Sequence, residues 1–153
     1  VPAVHELRPI TVADMQAQAA ALLHAHWEEV AKRRDLMVLA PDWPRYEQLE
    51  AKGALMSVGA FVDGVLVGYS LTLVGPHLHY VGLTVAQNDV LFVAKEHRHG
   101  RIGLDLIRKT EEMAKERGAR LVTWHAKEAT ALAGLLPRLG YDVHEVIFSK
   151  GVG

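Results

Sequence analysis

Asn88-Asp89-Val90-Leu91-Phe92-Val93-Ala94-Lys95-Glu96-His97-Arg98-His99-Gly100-Arg101-Ile102-Gly103-Leu104 runs from an apolar segment into a polar turn with two glycines three residues apart. Val90 to Val93 have the apolar, β-branched character of a buried strand. Beyond the turn, Leu104, Ile107, Glu111 and Ala114 recur at helical spacing, with Leu106, Thr110 and Met113 beside them. Arg117-Gly118 ends that helix. A helix that begins at such a turn presents free N–H groups and a partial positive charge. Glycines let the backbone approach a ligand closely. The combination makes an anion site suited to phosphate oxygens, to which Arg98 and Arg101 add charge and donors. The same pattern also suits a plain strand-to-helix turn whose glycines serve packing. No Gly-Lys-Ser/Thr follows the glycines, and their spacing is not Gly-x-Gly-x-x-Gly, so neither familiar nucleotide loop fits.

Upstream, residues 4–9 read as a short strand. Thr11 has the features of an N-cap, with Asp14 three residues on, before a helix to about Arg34. Met15, Ala19, Leu22, Leu23, Trp27 and Val30 fall on one face of that helix. A loop with Pro41 and Pro44 leads to a shorter helix that stops at Gly53. Residues 54–62 and 65–74 are apolar and β-branched, and Asp63-Gly64 between them is a strong hairpin signal. The stretch Gly75-Pro76-His77-Leu78-His79 interrupts the strand pattern. Downstream, residues 120–125 read as a strand, 128–139 as a helix closed by Gly140, and 141–149 as a last strand. Strands in a run first, then alternating with helices, indicate a mixed α/β sheet.

Composition narrows the class. The chain has 153 residues, an ordinary size for one domain over 1–153, and no internal repeat or linker. Half the residues are apolar and 23% charged, the balance of a folded protein rather than a disordered one. The net charge of -1 offers no electrostatic case for nucleic acid or for a membrane surface. Cysteine is absent, which removes disulfides, thiolate metal sites and thiol nucleophiles. No apolar run approaches a membrane span, and Val1-Pro2-Ala3 lacks the features of a leader, so the cytoplasm is the simplest expected compartment. His77-x-His79 and His97-x-His99 offer two ligands each where zinc needs three or four, so no metal is expected.

Leu91-Phe92-Val93, Glu96-His97-Arg98 and Gly100-Arg101-Ile102-Gly103 together resemble motif A of the GNAT superfamily of N-acetyltransferases: a strand, Arg/Gln-x-x-Gly-x-Gly/Ala, then a helix. Leu139-Gly140-Tyr141 resembles the leucine-glycine-aromatic near the end of that fold. The spacing Arg98-x-Gly100-Arg101-x-Gly103, with His79-Tyr80 and Asp89 upstream, looks most like GNAT-like proteins of bacteriophages and their hosts. The resemblance implies an α/β fold with a mixed, mostly antiparallel twisted sheet of about six to seven strands flanked by about four helices. It implies acetyl-CoA as co-substrate and direct attack of an amine on the acetyl thioester in a ternary complex. The acceptor would be an amine-bearing small molecule or protein. Exposed edge strands of such a fold often pair, which leaves a homodimer open.

The implied cofactor contacts are Arg98, His99, Gly100, Arg101, Ile102 and Gly103 around the pyrophosphate. Main chain of Leu91 and Val93 would pair with the pantetheine arm where strands 88–93 and 120–125 splay. A main-chain N–H near Phe92 or Val93 would stabilise the developing oxyanion. An amine must lose a proton before attack, and Asp89 is the first candidate base, because family members often carry an acid there. His79 and Tyr80, which precede the central strand, come next, and His125 is a further candidate. Each also has a bland reading: a solvated carboxylate, an irregular loop, a core histidine. Trp43 and Tyr46 either line the acceptor pocket or anchor a helix on the sheet.

Three positions depart from the family pattern. Its middle glycine is Arg101 here. Leu136 stands where many members place a tyrosine that protonates the leaving thiolate, and Ala129 lies near a frequent asparagine. A catalytically weak acyl-CoA binder is therefore the competing reading, and a scaffold protein that binds no coenzyme A is a third.

Overall fold

The computed structural model describes residues 4–153; Val1-Pro2-Ala3 lies outside the described residues. The chain order is β1 (His5–Pro9), α1 (Val12–Gln18), α2 (Ala20–Val30), α3 (Trp43–Ala51), β2 (Leu55–Val62), β3 (Val65–Pro76), β4 (Thr84–Val93), α4 (Ile102–Glu116), β5 (Leu121–Thr123) and α5 (Ala131–Leu135). Single 3-10 turns cover Lys95–His97 and Leu136–Leu139. One sheet holds the strands in the order β1-β2-β3-β4-β5. The first four pair antiparallel and β5 runs parallel to β4, so the sheet is mixed, as expected.

Local chemistry accounts for most of these boundaries. Asp63 and Gly64 have φ of 49° and 77°, the left-handed pair that a two-residue hairpin needs between Val62 and Val65. At α1, Asp14 N–H donates to Thr11 Oγ1 at 3.1 Å and Thr11 N–H to Asp14 Oδ2 at 2.9 Å, a complete capping box. Asp42 caps α3 through Arg45 N–H, and Thr130 caps α5 through Ala133 N–H. Gly118, at φ 83°, ends α4.

Both faces of the sheet are covered, which is why every residue of β2 is buried. Met56, Val58, Ala60, Val67, Ala86 and Val93 face α4, where Ile102, Leu106, Met113 and Ala114 meet them. Leu55, Phe61, Leu66, Tyr69, Leu71 and Phe92 face Met15 of α1, Leu22 and Leu23 of α2, and Trp43, Tyr46 and Leu49 of α3. The apolar stripe predicted on the first helix is the one that reaches this layer.

Three expectations change. The first helix is divided at Ala19 (φ -102°, ψ 0°) and stops at Val30 rather than Arg34. The division is slight, since Ala19 N–H still reaches Met15 O and Ala19 O accepts from Leu23 N–H. The helix expected over 128–139 is one short α-helix and a 3-10 turn containing Pro137, which cannot donate to a helical ladder.

The strand expected over 141–149 does not form, so the sheet has five strands, not six or seven. Its apolar residues promised a strand, yet Val143, Val146, Ile147 and Phe148 are 67% exposed or more. A strand needs a neighbour's free ladder, and β5 is only three residues long.

Candidate functional site

β4 is interrupted by a bulge at Asp89. Leu71 of β3 faces Val90 and Thr72 faces Asn88, which leaves Asp89 without an opposite residue. Buried Asn88 spans the bulge: its Nδ2 lies 3.1 Å from Leu71 O, 3.2 Å from Val90 O, 3.0 Å from Ser70 Oγ and 3.1 Å from Thr72 Oγ1. The extra residue turns the Asp89 carboxylate toward α3, where Tyr46 donates its hydroxyl to Asp89 Oδ2 at 3.2 Å. Burial, then the Asp89 charge and this hydrogen bond, push the Tyr46 phenol up to about 12. Tyr46 therefore stays protonated and acts as donor.

Beyond the bulge, one edge of β4 is open. Pairing with β5 covers only Val85, Ala86 and Gln87, so the two strands part before Asn88. Ala94 N–H donates to Val67 O at 2.7 Å, which fixes the phase of the antiparallel ladder. Alternation then directs the main-chain groups of Leu91 and Val93 to the open edge and those of Phe92 to β3. An N–H available at that edge is Val93's, not Phe92's. The Phe92 ring instead stacks under His26, with centroids 4.6 Å apart and planes 13° from parallel.

The turn after β4 ends in a helix start with no side-chain cap. Arg101 is the N-cap of α4 and makes no capping bond. Among the described residues, the N–H groups of Arg101, Ile102, Gly103 and Leu104 reach no protein acceptor, and the first one satisfied is that of Asp105, by Arg101 O. A Cβ added at Gly100 would meet nothing within 4 Å, and one at Gly103 only Val93 Cγ2 at 4.0 Å. Neither glycine has a left-handed φ. Packing and backbone strain thus leave these glycines unexplained. The room they keep lies over unpaired amides at the positive end of a 15-residue helix, a cradle that fits phosphate oxygens.

Side chains of the turn divide into three groups. Ile102 is buried under the sheet and offers only its amide. His99 and Arg101 are exposed, with Arg101 loosely paired to Asp105 at 3.8 Å. Arg98 is engaged by protein: both terminal nitrogens lie 2.6 Å from the Glu29 carboxylate, and Nε donates to Val93 O at 2.9 Å. The guanidinium holds the Glu29 carboxyl below the usual carboxylate range. Arg98 ties α2 to the end of β4.

The remaining predicted residues lie elsewhere. His79 and Tyr80 belong to the loop between β3 and β4, where the rings of His77 and Tyr80 are 4.6 Å apart and Tyr80 is 61% exposed. The start of β4 at Thr84 is five residues from Asp89, about 17 Å along a strand. The structure brings Tyr46 to Asp89; it brings neither His79 nor Tyr80 into a hydrogen bond with it. His125 follows β5 and touches Gln87 at 3.5 Å. Leu136 is buried, so its position supplies no proton. Among the described residues no group of three His, Asp or Glu side chains is placed to hold a metal, and no helix is long and apolar enough to cross a membrane.

Two cavities open on the α3 face, one reaching Val90 and the other Gln87, on either side of Asp89 in the chain. One, of about 340 Å³, includes Val90, Tyr46, His26, Trp27 and Trp43 in its walls. The other, of about 390 Å³, includes Gln87, Leu49, His77 and His79. In sequence His26 stands two residues from His24, a spacing that does not share a helix face and so suggests no metal pair, but it lies one turn from Leu22 and Leu23. It pairs through Nδ1 with the hydroxyl of fully buried Tyr69 at 2.9 Å, and burial lowers its pKa, so the ring is neutral.

No curated protein matches the sequence. Solved structures do. A ribosomal-protein-alanine N-acetyltransferase from Brucella melitensis biovar Abortus 2308 is 24% identical, with 98% of this chain and 100% of that chain covered and a TM-score of 0.72. A GCN5-related N-acetyltransferase from Ralstonia eutropha JMP134 is 21% identical, with 97% and 99% covered and a TM-score of 0.78. An aminoglycoside acetyltransferase from an uncultured soil metagenomic sample is 20% identical, with 98% and 99% covered and a TM-score of 0.78. At these identities the likeness shows the fold. The sequence itself matches the acetyltransferase (GNAT) family over residues 19–141, and with an open β4 edge leading into an uncapped, glycine-bearing helix start, the chain belongs to that family.

Proposed function

We propose that this chain transfers an acetyl group from acetyl-CoA to an amine in a ternary complex. The observation that carries this reading is the uncapped N-terminus of α4 beside the open edge of β4. The amides of Arg101, Ile102, Gly103 and Leu104 would hold the pyrophosphate, with His99, Gly100 and Arg101 around it. Leu91 and Val93 would pair with the pantetheine amides. Bound there, acetyl-CoA supplies the activated acetyl thioester. The spacing at 98–103 also supports placing the chain with the bacteriophage-type members of its family.

Asp89 is the base in this reading. It would take a proton from the acceptor ammonium, directly or through water. The Tyr46 hydroxyl fixes one carboxylate oxygen and leaves the other for the amine. Val93 N–H at the open edge would stabilise negative charge on the acetyl oxygen. As the new C–N bond forms, the C–S bond breaks. A second proton leaves the nitrogen and one joins the sulfur, so the products are the N-acetylamine, coenzyme A thiol and one released proton. Solvent is the donor to sulfur, because Leu136 is apolar and buried.

That same leucine favours one alternative, a catalytically weak acyl-CoA binder. Calorimetry with acetyl-CoA and thiol release with a broad amine panel separate the two. Binding with amine-dependent thiol release supports the transferase. Binding without release above hydrolysis supports the binder, and absence of binding removes both.

A further inference from the structure

One cavity lies against Val90 on the α3 face of the sheet. Leu23, Trp27, Trp43, Tyr46, Leu71 and Val90 line it. Across it runs an apolar strap in which Leu36, Met37, Val38 and Leu39 remain 63%, 59%, 73% and 37% exposed. Four successive large apolar side chains left open beside an apolar cavity call for an apolar cover. The volume of about 340 Å³ admits a small molecule rather than a folded surface.

Charge narrows the occupant further. No Asp or Glu lines this cavity. Its one lining cation, Lys127, donates to Val30 O at the end of α2. Among the described residues, the acid hydrogen-bonded to a lining side chain is Asp89, which accepts from the Tyr46 hydroxyl. A ligand here meets aromatic and aliphatic walls, and the Tyr46 hydroxyl in them leads to the Asp89 carboxylate. Several ammonium groups would have to leave water without partners, beside a lysine.

We propose that the acceptor is a small primary amine with a single amino group on an apolar body of aromatic size, its nitrogen at Asp89 and its body between Trp27, Trp43 and the strap 36–40. This rests on the acetyl-transfer reading above. Its direct consequence is a preference opposite to that expected for a polyamine or an aminoglycoside.

The test compares 2-phenylethylamine with spermidine, kanamycin and a tripeptide beginning with leucine, in the full chain. Thiol release is measured with acetyl-CoA, and binding by calorimetry on the protein saturated with coenzyme A. We expect kcat/KM for 2-phenylethylamine to exceed each of the others by about tenfold or more. Leu39→Asp adds an acid to the apolar wall at an exposed loop position and should narrow the preference over spermidine about tenfold, with acetyl-CoA affinity unchanged. Val38→Asp, on the same strap, should act in the same direction.

Preferred acetylation of spermidine, kanamycin or the peptide overturns the inference and leaves the transferase reading standing. Binding of 2-phenylethylamine that Leu39→Asp weakens, without thiol release from any amine, keeps the apolar site and overturns the transferase reading. Neither binding nor turnover of 2-phenylethylamine overturns the inference outright.

Discussion

The N-termini of α1 and α4 meet the same physical requirement in opposite ways. Each helix begins with amides that have no partner in its own ladder. At α1, Thr11 and Asp14 bond reciprocally, and Glu50 accepts from Val12 N–H at 2.8 Å. At α4, Arg101 provides no cap, two nearby glycines keep side chains away, and the amides stay open. One start is closed by local sequence for stability. The other is left open, with room over its amides that fits an anion. The difference teaches that unsatisfied groups carry functional information when the residues around them preserve access rather than fill it.

The sharpest way to break this comparison is Gly103→Glu. A carboxylate at that position faces open space, so the protein stays folded, and the replacement favours helix by up to about 1 kcal/mol. Acetyl-CoA affinity should fall more than about 100-fold in calorimetry through repulsion at the pyrophosphate. An unchanged affinity would remove α4 from the role of anion site.

Asp89→Asn asks whether the open edge serves chemistry as well as binding. Turnover should drop about 100-fold while acetyl-CoA affinity changes less than about twofold. A normal rate across pH would end the case for Asp89 as base.

Arg98 sharpens the comparison, because its charge lies next to the open helix start yet is held by Glu29. If the clamp is its role, Arg98→Gln and Glu29→Gln each cost about 1 kcal/mol or less in denaturant titrations and do not add, since the pair is part-exposed. Acetyl-CoA affinity should then move little in either variant. Weaker binding in Arg98→Gln with tighter binding in Glu29→Gln would instead assign the guanidinium to phosphate.

The closed start predicts a pure stability effect. Thr11→Ala should cost about 1 kcal/mol and leave both acetyl-CoA affinity and turnover unchanged.

The smallest effect concerns pH. Burial lowers the His26 pKa from its ordinary 6.5, so the unfolded chain binds more protons than the folded one below that pH. His26 therefore contributes stability that is fully present above 6.5 and is lost as pH falls from there toward its folded value. Thermal melts should show a decline between pH 6.5 and 5 that His26→Gln reduces.

Much of this molecule is legible in short stretches of sequence. The capping box at Thr11, the Asp63-Gly64 hairpin and the glycine-bearing turn after Val93 depend on groups within a few residues of each other, so their residue types alone point to them. The same locality explains one error. Val143, Val146, Ile147 and Phe148 have strand-forming side chains, but a strand exists only where another edge accepts its hydrogen bonds. β5, the strand that precedes this segment, offers an edge of only three residues. The parts played by Asn88 and His26 were not legible for the converse reason: a polar residue in an apolar run acquires meaning only from the partners that fold around it.

By itself, the amino-acid sequence determined the α/β class, the order of the strands through β5, and the place of a glycine-bearing helix start. Each follows from periodicity or from turn chemistry over adjacent residues. Tertiary structure decided which side chains the site contains. It brought Glu29 to Arg98 across 69 positions and Tyr46 to Asp89 across 43, and it parted β4 from β5 after Gln87. Such contacts depend on how sheet and helices pack, and no local pattern encodes them. The turn at 98–103 could thus be found in the sequence, but only the fold showed that its amides are open and that one of its arginines is already held.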